Sequence, residues 1–324
     1  MLDYQLIDFG AGRRLERFGS LVLDRLCPSA HLARPAGHVT RADLCFVDDR
    51  LGDSALGKRG YWTALTDRGR ELLGGASRAE SPEGRWQIRH TDPDFTLDLA
   101  CSPFGHIGVF PEQEENWCRI GRYVRRALPR LGRPPKVLNL FAYTGASSLA
   151  AASAGAEVTH LDAARNIVDR ARQNASLSSV QDRIRFITDD AMKFVQRQGR
   201  RGNRYDALIL DPPSYGHGAR GEVWRLARDL PKLLGALSRV LDVTFPMVLL
   251  TCHTPSVTTR TLAAMLREKF PGRGGNVLRI ETGMMKLTAR AAQTISTTVE
   301  VRGTGGVRVL ESGLFAVLEP NTGR

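Results

Sequence analysis

The stretch 136–162, KVLNLFAYTGASSLAAASAGAEVTHLD, decides the fold of this 324-residue chain. Its first apolar run, residues 137–141, is short and ends at a turn, which is typical of a strand buried on both faces. The Ala- and Ser-rich segment 146–154 predicts a helix that packs closely on a sheet. A second apolar run, 158–161, ends at Asp162. We therefore predict a β-α-β unit with an acid at the carboxyl end of its second strand.

The turn in this unit, FAYTGAS at 141–147, contains a single glycine, Gly145. A dinucleotide site requires Gly-x-Gly-x-x-Gly, because bare backbone must approach a pyrophosphate. The turn therefore favours S-adenosylmethionine, which has a ribose and an adenine but no phosphate. Asp162 is placed to accept both ribose hydroxyls. An ordinary β-α-β unit with an acid there by chance would show the same pattern.

The composition predicts a polyanionic partner. The net charge is +12 and the isoelectric point about 10.0, which favours nucleic acid, or else a solvated basic surface. The five cysteines are scattered without a C-x-x-C pair, so we expect a reducing cytoplasm, no disulfides and no structural zinc. No apolar run is long enough to span a bilayer, and MLDYQLIDFG at the start does not resemble a signal peptide. The oligomeric state stays open.

Two domains are expected from the length. Residues 1–108 carry short apolar runs between Gly, Pro, Asp and Ser, which predict a small β-rich N-terminal domain. Within it, 26–58 is interpreted as a long loop. The expected strands are 4–9, 21–26, 61–65, 86–90 and 95–100.

Residues 109–324 predict an α/β domain with a Rossmann-like, doubly wound and mostly parallel sheet. A bridging helix at 112–131 is followed by strands and helices in regular alternation up to residue 270. They include strands at 184–188 and 207–210 and a long helix at 221–241. Three later strands have no helices between them and predict an antiparallel closing edge. These are residues 277–280, 294–301 and 314–318.

Polar residues follow each predicted parallel strand, at the edge where such sheets bind ligands. They are Tyr143-Thr144-Gly145, Asp162, Asp189-Asp190-Ala191, Asp211-Pro212-Pro213-Ser214-Tyr215 and Cys252-His253-Thr254. An acid after the third strand can accept from an adenine amino group while the next backbone N–H donates to the ring. Taken singly, Asp189 or Asp190 is more typical of a helix N-cap than of a ligand.

The motif at 211–215, DPPSY, is the most specific of these. Two prolines fix the backbone and leave carbonyls without competing N–H neighbours, so Asp211 and a carbonyl can be aimed at an incoming group. A structural strand exit is the alternative.

LNLFAYTG, Asp162, Asp190-Ala191 and DPPSY together resemble the class I S-adenosylmethionine-dependent methyltransferases, particularly the bacterial large-subunit ribosomal RNA methyltransferases. The segment 108–113, GVFPEQ, is similar to that group's aromatic-x-x-Gln stretch, and the resemblance covers about residues 105–319. It implies S-adenosylmethionine as cofactor, ribosomal RNA as partner and Asp211 facing the transferred methyl. The cofactor contacts implied are Phe141, Tyr143, Thr144, Gly145, Asp162, Asp190, Ala191 and Gln113.

The acceptor atom stays open. Amine-methylating relatives place an aromatic ring directly after Asp-Pro-Pro to stack on a flipped base, but here Ser214 holds that place and Tyr215 follows. Methylation at pyrimidine C5 needs a cysteine thiolate, which makes Cys252 a candidate catalytic residue beside Asp211. Cys252 resembles the Thr-Cys-Ser of some 5-methylcytosine enzymes but departs from the Ser-Cys-Ser of the most similar group, whose cysteine falls about two positions later. Since cysteine is often buried, a structural role is favoured.

Three arginines after DPPSY, Arg220, Arg225 and Arg228, are candidates to hold RNA phosphates. The basic run 197–204 is interpreted as a solvated loop. We therefore expect a cytoplasmic methyltransferase that acts on nucleic acid, with ribosomal RNA as the expected substrate. The alternatives are a methyltransferase of a protein or small molecule and a non-catalytic RNA-binding relative. A nicotinamide oxidoreductase is disfavoured by the missing glycines.

Overall fold

The computed structural model describes residues 2–30, 42–48, 59–217, 223–272, 277–289 and 308–321. The chain divides into two compact units. The first comprises Met1–Arg89, Asp98–Glu112 and Lys286–Ser312, and the second comprises His90–Leu97, Gln113–Met285 and Gly313–Arg324. The first unit thus extends past the expected boundary at residue 108 and includes late residues, because Leu287 and Leu310 pack against Leu6 and Phe9.

The first unit contains a six-stranded sheet in the order β1 to β6. Its elements are β1 Tyr4–Gly10, β2 Arg13–Phe18, β3 Leu21–Leu26, β4 Leu44–Asp48, β5 Gly60–Ala64, α1 Asp67–Leu72 and β6 Arg78–Ala79. Neighbouring strands are antiparallel except for β3 and β4, which are parallel. β7, Arg85–Thr91, and β8, Asp94–Ala100, form a two-stranded sheet. All five strands expected in the N-terminal region are confirmed.

Three strands of this sheet, β2, β4 and the two-residue β6, were not predicted. β2 reads RRLERF, and two of its charged residues, Arg14 and Glu16, are buried with ion-pair partners: Glu16 lies 2.6 Å from Arg25 and 3.0 Å from Arg14. β4 lies inside the segment 26–58, so the interpretation of that whole segment as a loop was wrong. Residues 31–41 and 49–58 of the segment lie outside the described residues.

The second unit is built on a seven-stranded sheet in the order β11-β10-β9-β12-β15-β17-β16. In chain order its elements are α2 Glu114–Leu131, β9 Lys136–Leu140, α3 Ala146–Ser153, β10 Glu157–Asp162, α4 Arg165–Leu177, β11 Ile184–Thr188, α5 Ala191–Arg200, β12 Ala207–Leu210, β13 Tyr215–His217, β14 Val223–Arg225, α6 Leu226–Leu237, β15 Met247–Cys252, α7 Thr259–Lys269, β16 Leu278–Ala289 and β17 Arg308–Pro320. The last two strands extend beyond the second unit.

β12 is apolar along its whole length and β15 is apolar as far as Leu250, because helices cover both faces of the sheet. β12 and β15 are fully buried. Their residues Leu208, Leu210 and Leu250 form one core cluster with leucines of the covering helices, Leu230, Leu233 and Leu262. Strands β11, β10, β9, β12 and β15 are parallel, and β17 is antiparallel to β15. The doubly wound sheet and its antiparallel edge are therefore confirmed.

Several expected elements differ in extent, and the strands expected at 277–280 and 314–318 are longer, at Leu278–Ala289 and Arg308–Pro320. The helix expected at 221–241 begins only at Leu226, because Val223–Arg225 pairs with Tyr215–His217 as a short antiparallel hairpin. The basic run 197–204 is partly helical, since α5 continues to Arg200. The strand expected at 294–301 lies outside the described residues. None of the described helices is both long and apolar enough to cross a membrane.

Candidate active site

The candidate site lies where the strand order reverses. From β9 the chain proceeds to β10 and β11 on one side and to β12 and β15 on the other. The carboxyl ends of β9 and β12 therefore flank a switch point, which is where open α/β sheets bind ligands. Every group of polar residues singled out in the sequence follows one of these five strands.

The loop after β9 has an unusual backbone. Phe141 and Tyr143 have positive φ angles of 56° and 50°, and Gly145 has a φ of 100°. Residues with a β-carbon adopt such angles at a cost, and such residues cluster at functional sites. Thr144 is buried, and its carbonyl accepts a 2.9 Å hydrogen bond from Asn174 of α4. The loop is thus held in one shape at the carboxyl end of β9.

Asp162, at the end of β10, is oriented by backbone groups. Its Oδ2 accepts from the Tyr143 N–H at 2.9 Å and its Oδ1 from the Ala164 N–H at 3.1 Å. Burial raises the pKa of Asp162 above its ordinary value, and these backbone donors oppose that rise. Each carboxylate oxygen has a second lone pair. The donor and acceptor set therefore fits the two hydroxyls of a ribose.

The acids after β11 are engaged with the protein. Asp190 is the N-cap of α5, with Oδ1 accepting from the Lys193 N–H at 2.8 Å, as its position suggested. Asp189 accepts from the Asp190 N–H at 2.8 Å and pairs with Arg197. Ala191 is the buried first residue of the helix. The structure thus shows a capping role for Asp190, and contact with an adenine remains a prediction.

Asp211, after β12, is oriented by side chains. Gln113 Nε2 donates to its Oδ2 at 3.1 Å, and Thr251 Oγ1 donates to its Oδ1 at 2.5 Å. His253 Nε2 lies 3.6 Å from the same Oδ1. Burial alone would raise the pKa of Asp211, but the hydrogen bond and charge of His253 oppose it. With the donors on Thr251 and Gln113, they hold that pKa below its ordinary value, so the carboxylate is ionised at neutral pH.

Gln113 was expected to contact the cofactor, and the structure brings its amide to Asp211. Its Nε2 also lies 3.4 Å from Thr251 Oγ1, and its Oε1 accepts from Asn116 Nδ2 at 2.8 Å. The Asn116 bond fixes which end of the amide faces the carboxylate. Gln113 is therefore a positioned donor to Asp211.

The DPPSY segment is hydrogen-bonded by a residue that was not identified from the sequence. Trp224, on β14, donates from Nε1 to the Pro213 carbonyl at 2.7 Å, and its ring centroid lies 5.0 Å from that of Phe141. The expectation of free carbonyls was thus wrong for Pro213. The Ser214 and Thr254 hydroxyls lie 2.6 Å apart, also at this edge. No sequence pattern indicates that the Trp224 indole would donate a hydrogen bond to the Pro213 carbonyl.

Cys252 does not join the site. Consecutive side chains of a strand point to opposite faces of the sheet, and Thr251 faces Asp211. Cys252 is accordingly 1% exposed and belongs to the apolar core cluster with Leu250 and Leu262. The residue on its other side, His253, is exposed and was given no role from the sequence, although it directly follows β15.

Of the arginines after DPPSY that were expected to hold RNA phosphates, one is already paired with a carboxylate of the protein. Arg228 forms two 2.7 Å hydrogen bonds with the carboxylate of Asp229, and the pKa of Asp229 is lowered to about 2 by that pairing. Arg225 is exposed, and its backbone N–H donates to Asp229 Oδ2. Arg220 lies outside the described residues.

Comparison with known proteins identifies the family. The sequence profile of the S-adenosylmethionine-dependent methyltransferases matches residues 69–263. An S-adenosylmethionine-dependent methyltransferase from Agrobacterium tumefaciens superposes with a TM-score of 0.80 and 32% identity, covering 98% of this chain and 91% of that one. A Streptococcus mutans protein described as a methyltransferase of the same kind shares the fold, with a TM-score of 0.61 and 15% identity over 98% of this chain and 75% of that one.

A curated relative, ribosomal RNA large subunit methyltransferase I of Escherichia coli K12, is 28% identical over 211 residues, which are 63% of this chain and 48% of the relative. The chain thus spans about half the length of the curated relatives that it matches. The profile and the Agrobacterium structure cover the site described above. The chain therefore belongs to the family of S-adenosylmethionine-dependent methyltransferases.

Proposed function

We propose that this chain transfers the methyl group of S-adenosylmethionine to a base of ribosomal RNA in the cytoplasm. The observation that carries the proposal is the ionised Asp211, held between Gln113 and Thr251 at the switch point that also presents Asp162. The net charge of +12 supports a polyanionic substrate, and the curated relative acts on ribosomal RNA by name. All five cysteines are free thiols, in keeping with a reducing compartment.

The cofactor half of the site consists of the loop at 141–145 and Asp162. When bound, S-adenosylmethionine supplies an electrophilic methyl group. Asp162 accepts the ribose hydroxyls, and the rigid loop contributes backbone partners beside it. The fixed backbone keeps these groups in place before binding, so little entropy is lost on ordering them.

The acceptor half consists of Asp211 and His253. Asp211 accepts a hydrogen bond from the amino or imino group that is to be methylated and so aims its lone pair. The 3.6 Å separation of His253 Nε2 from Asp211 Oδ1 lets the pair share the proton that this group releases. Thr251 and His253 both face Oδ1, whereas Gln113 occupies one lone pair of Oδ2 and leaves the other for the substrate.

A nitrogen acceptor fits this geometry better than pyrimidine C5. Methylation at C5 requires a thiolate that reaches C6 of the base. The Cys252 thiol is 1% exposed and lies on the sheet face opposite to Thr251. We therefore assign Cys252 a packing role.

The test is methyl transfer from labelled S-adenosylmethionine to 23S ribosomal RNA purified from a strain that lacks this chain. We expect label in the RNA that ribonuclease releases, a modified base located by mass mapping, and no label with Asp211→Asn. RNA containing 5-fluoropyrimidines should form no covalent complex. Label that stays in protein or small molecules after ribonuclease treatment would exclude RNA as the substrate, and a trapped complex would exclude the nitrogen acceptor.

A further inference from the structure

A second charged site lies on helix α2, apart from the residues around Asp211. A cavity of about 530 Å³, here called the α2 groove, is bounded by α2, the start of β16 and the end of β17. Its lining is charged throughout: Glu115, Arg119, Arg122, Arg125, Arg126, Arg279, Glu281 and Glu319. Small-molecule clefts of this size are mostly apolar, so the groove is suited to a different class of ligand.

Arg119 is the innermost arginine. Its side chain is 9% exposed, its Nη2 lies 2.9 Å from Glu281, and its guanidinium lies 4.8 Å from the centroid of the Phe315 ring. Its Nε is buried without a hydrogen-bond partner among the residues that the structure describes. Burying a guanidinium with an unused donor costs free energy. The contacts within the protein therefore leave the Nε–H donor of Arg119 for a ligand.

Glu319 orients two further arginines. Its side chain is 4% exposed, with Oε2 accepting from Arg126 at 2.6 Å and Oε1 from Arg279 at 2.7 Å. Burial raises the pKa of Glu319, but the two guanidinium groups outweigh that effect and lower it. The carboxylate is therefore a fixed anion between two cations. Each guanidinium has five N–H donors, so most of them remain for a ligand.

Positive charge is in excess in the groove. Five arginines face three glutamates, and Arg125 also pairs with Asp92 at 2.9 Å, so one positive charge is in excess. No carboxylate among the described residues pairs with Arg122. Planar guanidinium groups in a fixed arrangement match the geometry of phosphate oxygens better than any other side chain does. The groove is therefore built for phosphate groups.

Helix α2 and strand β17 connect the groove with the candidate active site. Gln113, Asn116 and Arg119 follow one another at three-residue spacing, so the first turns of α2 run from Asp211 to the innermost arginine. On the sheet, Phe315 beneath Arg119 pairs in register with Thr251. From Arg119 to Arg126 the helix rises about 10 Å, which carries the arginines progressively away from the active site.

We infer that the α2 groove binds the phosphodiester backbone of the RNA whose base is methylated at Asp211. This inference rests on the proposed function, since it assigns the RNA-positioning surface of that same site. The groove then fixes the position of the RNA strand on the protein and supplies the salt-dependent part of the affinity for RNA. The base is selected next to Asp211. Glu319 is a positioning residue for Arg126 and Arg279.

The test is a fluorescence-anisotropy titration of a labelled single-stranded RNA of mixed sequence into the full chain over a range of KCl concentrations. The variant Arg122→Gln/Arg126→Gln removes two cations and leaves Arg279 on Glu319. Loss of two phosphate contacts should weaken RNA binding about tenfold and flatten the slope of log K against log salt by about 1.4. Calorimetric affinity for S-adenosylhomocysteine should not change, because that ligand has no phosphate.

Arg200→Gln/Arg201→Gln is the matched control, because it removes two exposed arginines at the end of α5. In this control the slope of log K against log salt should change by less than half of the change expected for the groove variant. If the wild-type chain did not bind RNA, the proposed substrate itself would fall, and the groove assignment with it. If the wild type bound RNA and the groove variant bound equally well with an unchanged slope, only the groove assignment would fall, and another anion such as an acidic peptide would become its candidate ligand.

Discussion

The two halves of the site hold their carboxylates by different means. Asp162 is oriented by backbone N–H groups of Tyr143 and Ala164, within its own β-α-β unit. Asp211 is oriented by the side chains of Gln113 and Thr251, which are 98 and 40 residues away in sequence. Backbone donors exist whatever the sequence, whereas side-chain donors can be lost by a single substitution. The cofactor half is thus fixed by the fold, and the acceptor half depends on distant residues that can be replaced.

The largest effect is expected from Asp211→Asn. The amide has nearly the same shape but cannot take up a proton or carry the charge, so kcat should fall by about 10² to 10⁴-fold. Single-turnover transfer to 23S ribosomal RNA measures this directly. A rate within tenfold of wild type would show that Asp211 does not handle the acceptor.

The next effect concerns the cofactor half. Asp162→Ala removes two charge-assisted hydrogen bonds to the ribose and should weaken S-adenosylmethionine binding by about 1.5 to 3 kcal/mol, roughly ten- to a hundred-fold. Calorimetry measures the affinity. Asp169→Ala, an exposed acid on α4, is the matched control and should bind normally. Unchanged affinity in a folded Asp162→Ala protein would remove the nucleoside from β10.

Gln113→Ala tests the distant support of Asp211. The amide donates to the ionised carboxylate and helps to lower its pKa; without it that pKa rises towards the ordinary value. The acid limb of the pH–rate profile should therefore move to higher pH. The carboxylate stays ionised at neutral pH, where the rate should fall about tenfold because Asp211 loses a donor that holds it in place.

The same variant separates the two roles considered for Gln113. If it supports Asp211, affinity for S-adenosylmethionine should stay within about twofold of wild type. A large loss of cofactor affinity with an unmoved acid limb would restore the role expected from the sequence, that of a cofactor contact.

The smallest effect on activity is expected from Cys252→Ala. The thiol lies in the core cluster, so its removal should cost about 1 to 2 kcal/mol of unfolding free energy, measured with urea. Methyl transfer should stay within about threefold of wild type, since nitrogen methylation needs no thiolate. Complete loss of transfer with normal cofactor binding would instead point to C5 chemistry.

The fold of the second unit could be predicted because its signals are local. Apolar runs mark the parallel strands, and Ile184–Thr188 and Ala207–Leu210 were predicted to the residue. Strands whose identity depends on distant pairing were missed. Glu16 of β2 is buried by an ion pair with Arg25 of the neighbouring strand. The hairpin at the end of DPPSY pairs two segments of only three residues each, which are too short to show a strand pattern.

The candidate site also has a part that could be predicted from local sequence and a part that depends on distant residues. Asp162 could be found because it follows a strand, and its partners lie in the adjacent loops. The partners of Asp211 could not be found, because nothing in GVFPEQ or in the residues after β15 indicates that they meet at one carboxylate. The α2 groove was missed for a similar reason: its arginines are spread between α2 and β16, and the sequence does not show that Glu319 joins them.

The central claim is that Asp162 binds the cofactor and Asp211 handles the methyl acceptor. The most direct test is one calorimetric series in which S-adenosylhomocysteine is titrated into wild type, Asp162→Asn and Asp211→Asn. These are the same isosteric change at two positions. We predict that Asp162→Asn weakens binding roughly ten- to a hundred-fold and that Asp211→Asn stays within about threefold of wild type. Equal losses in both variants, or a loss confined to Asp211→Asn, would contradict the account.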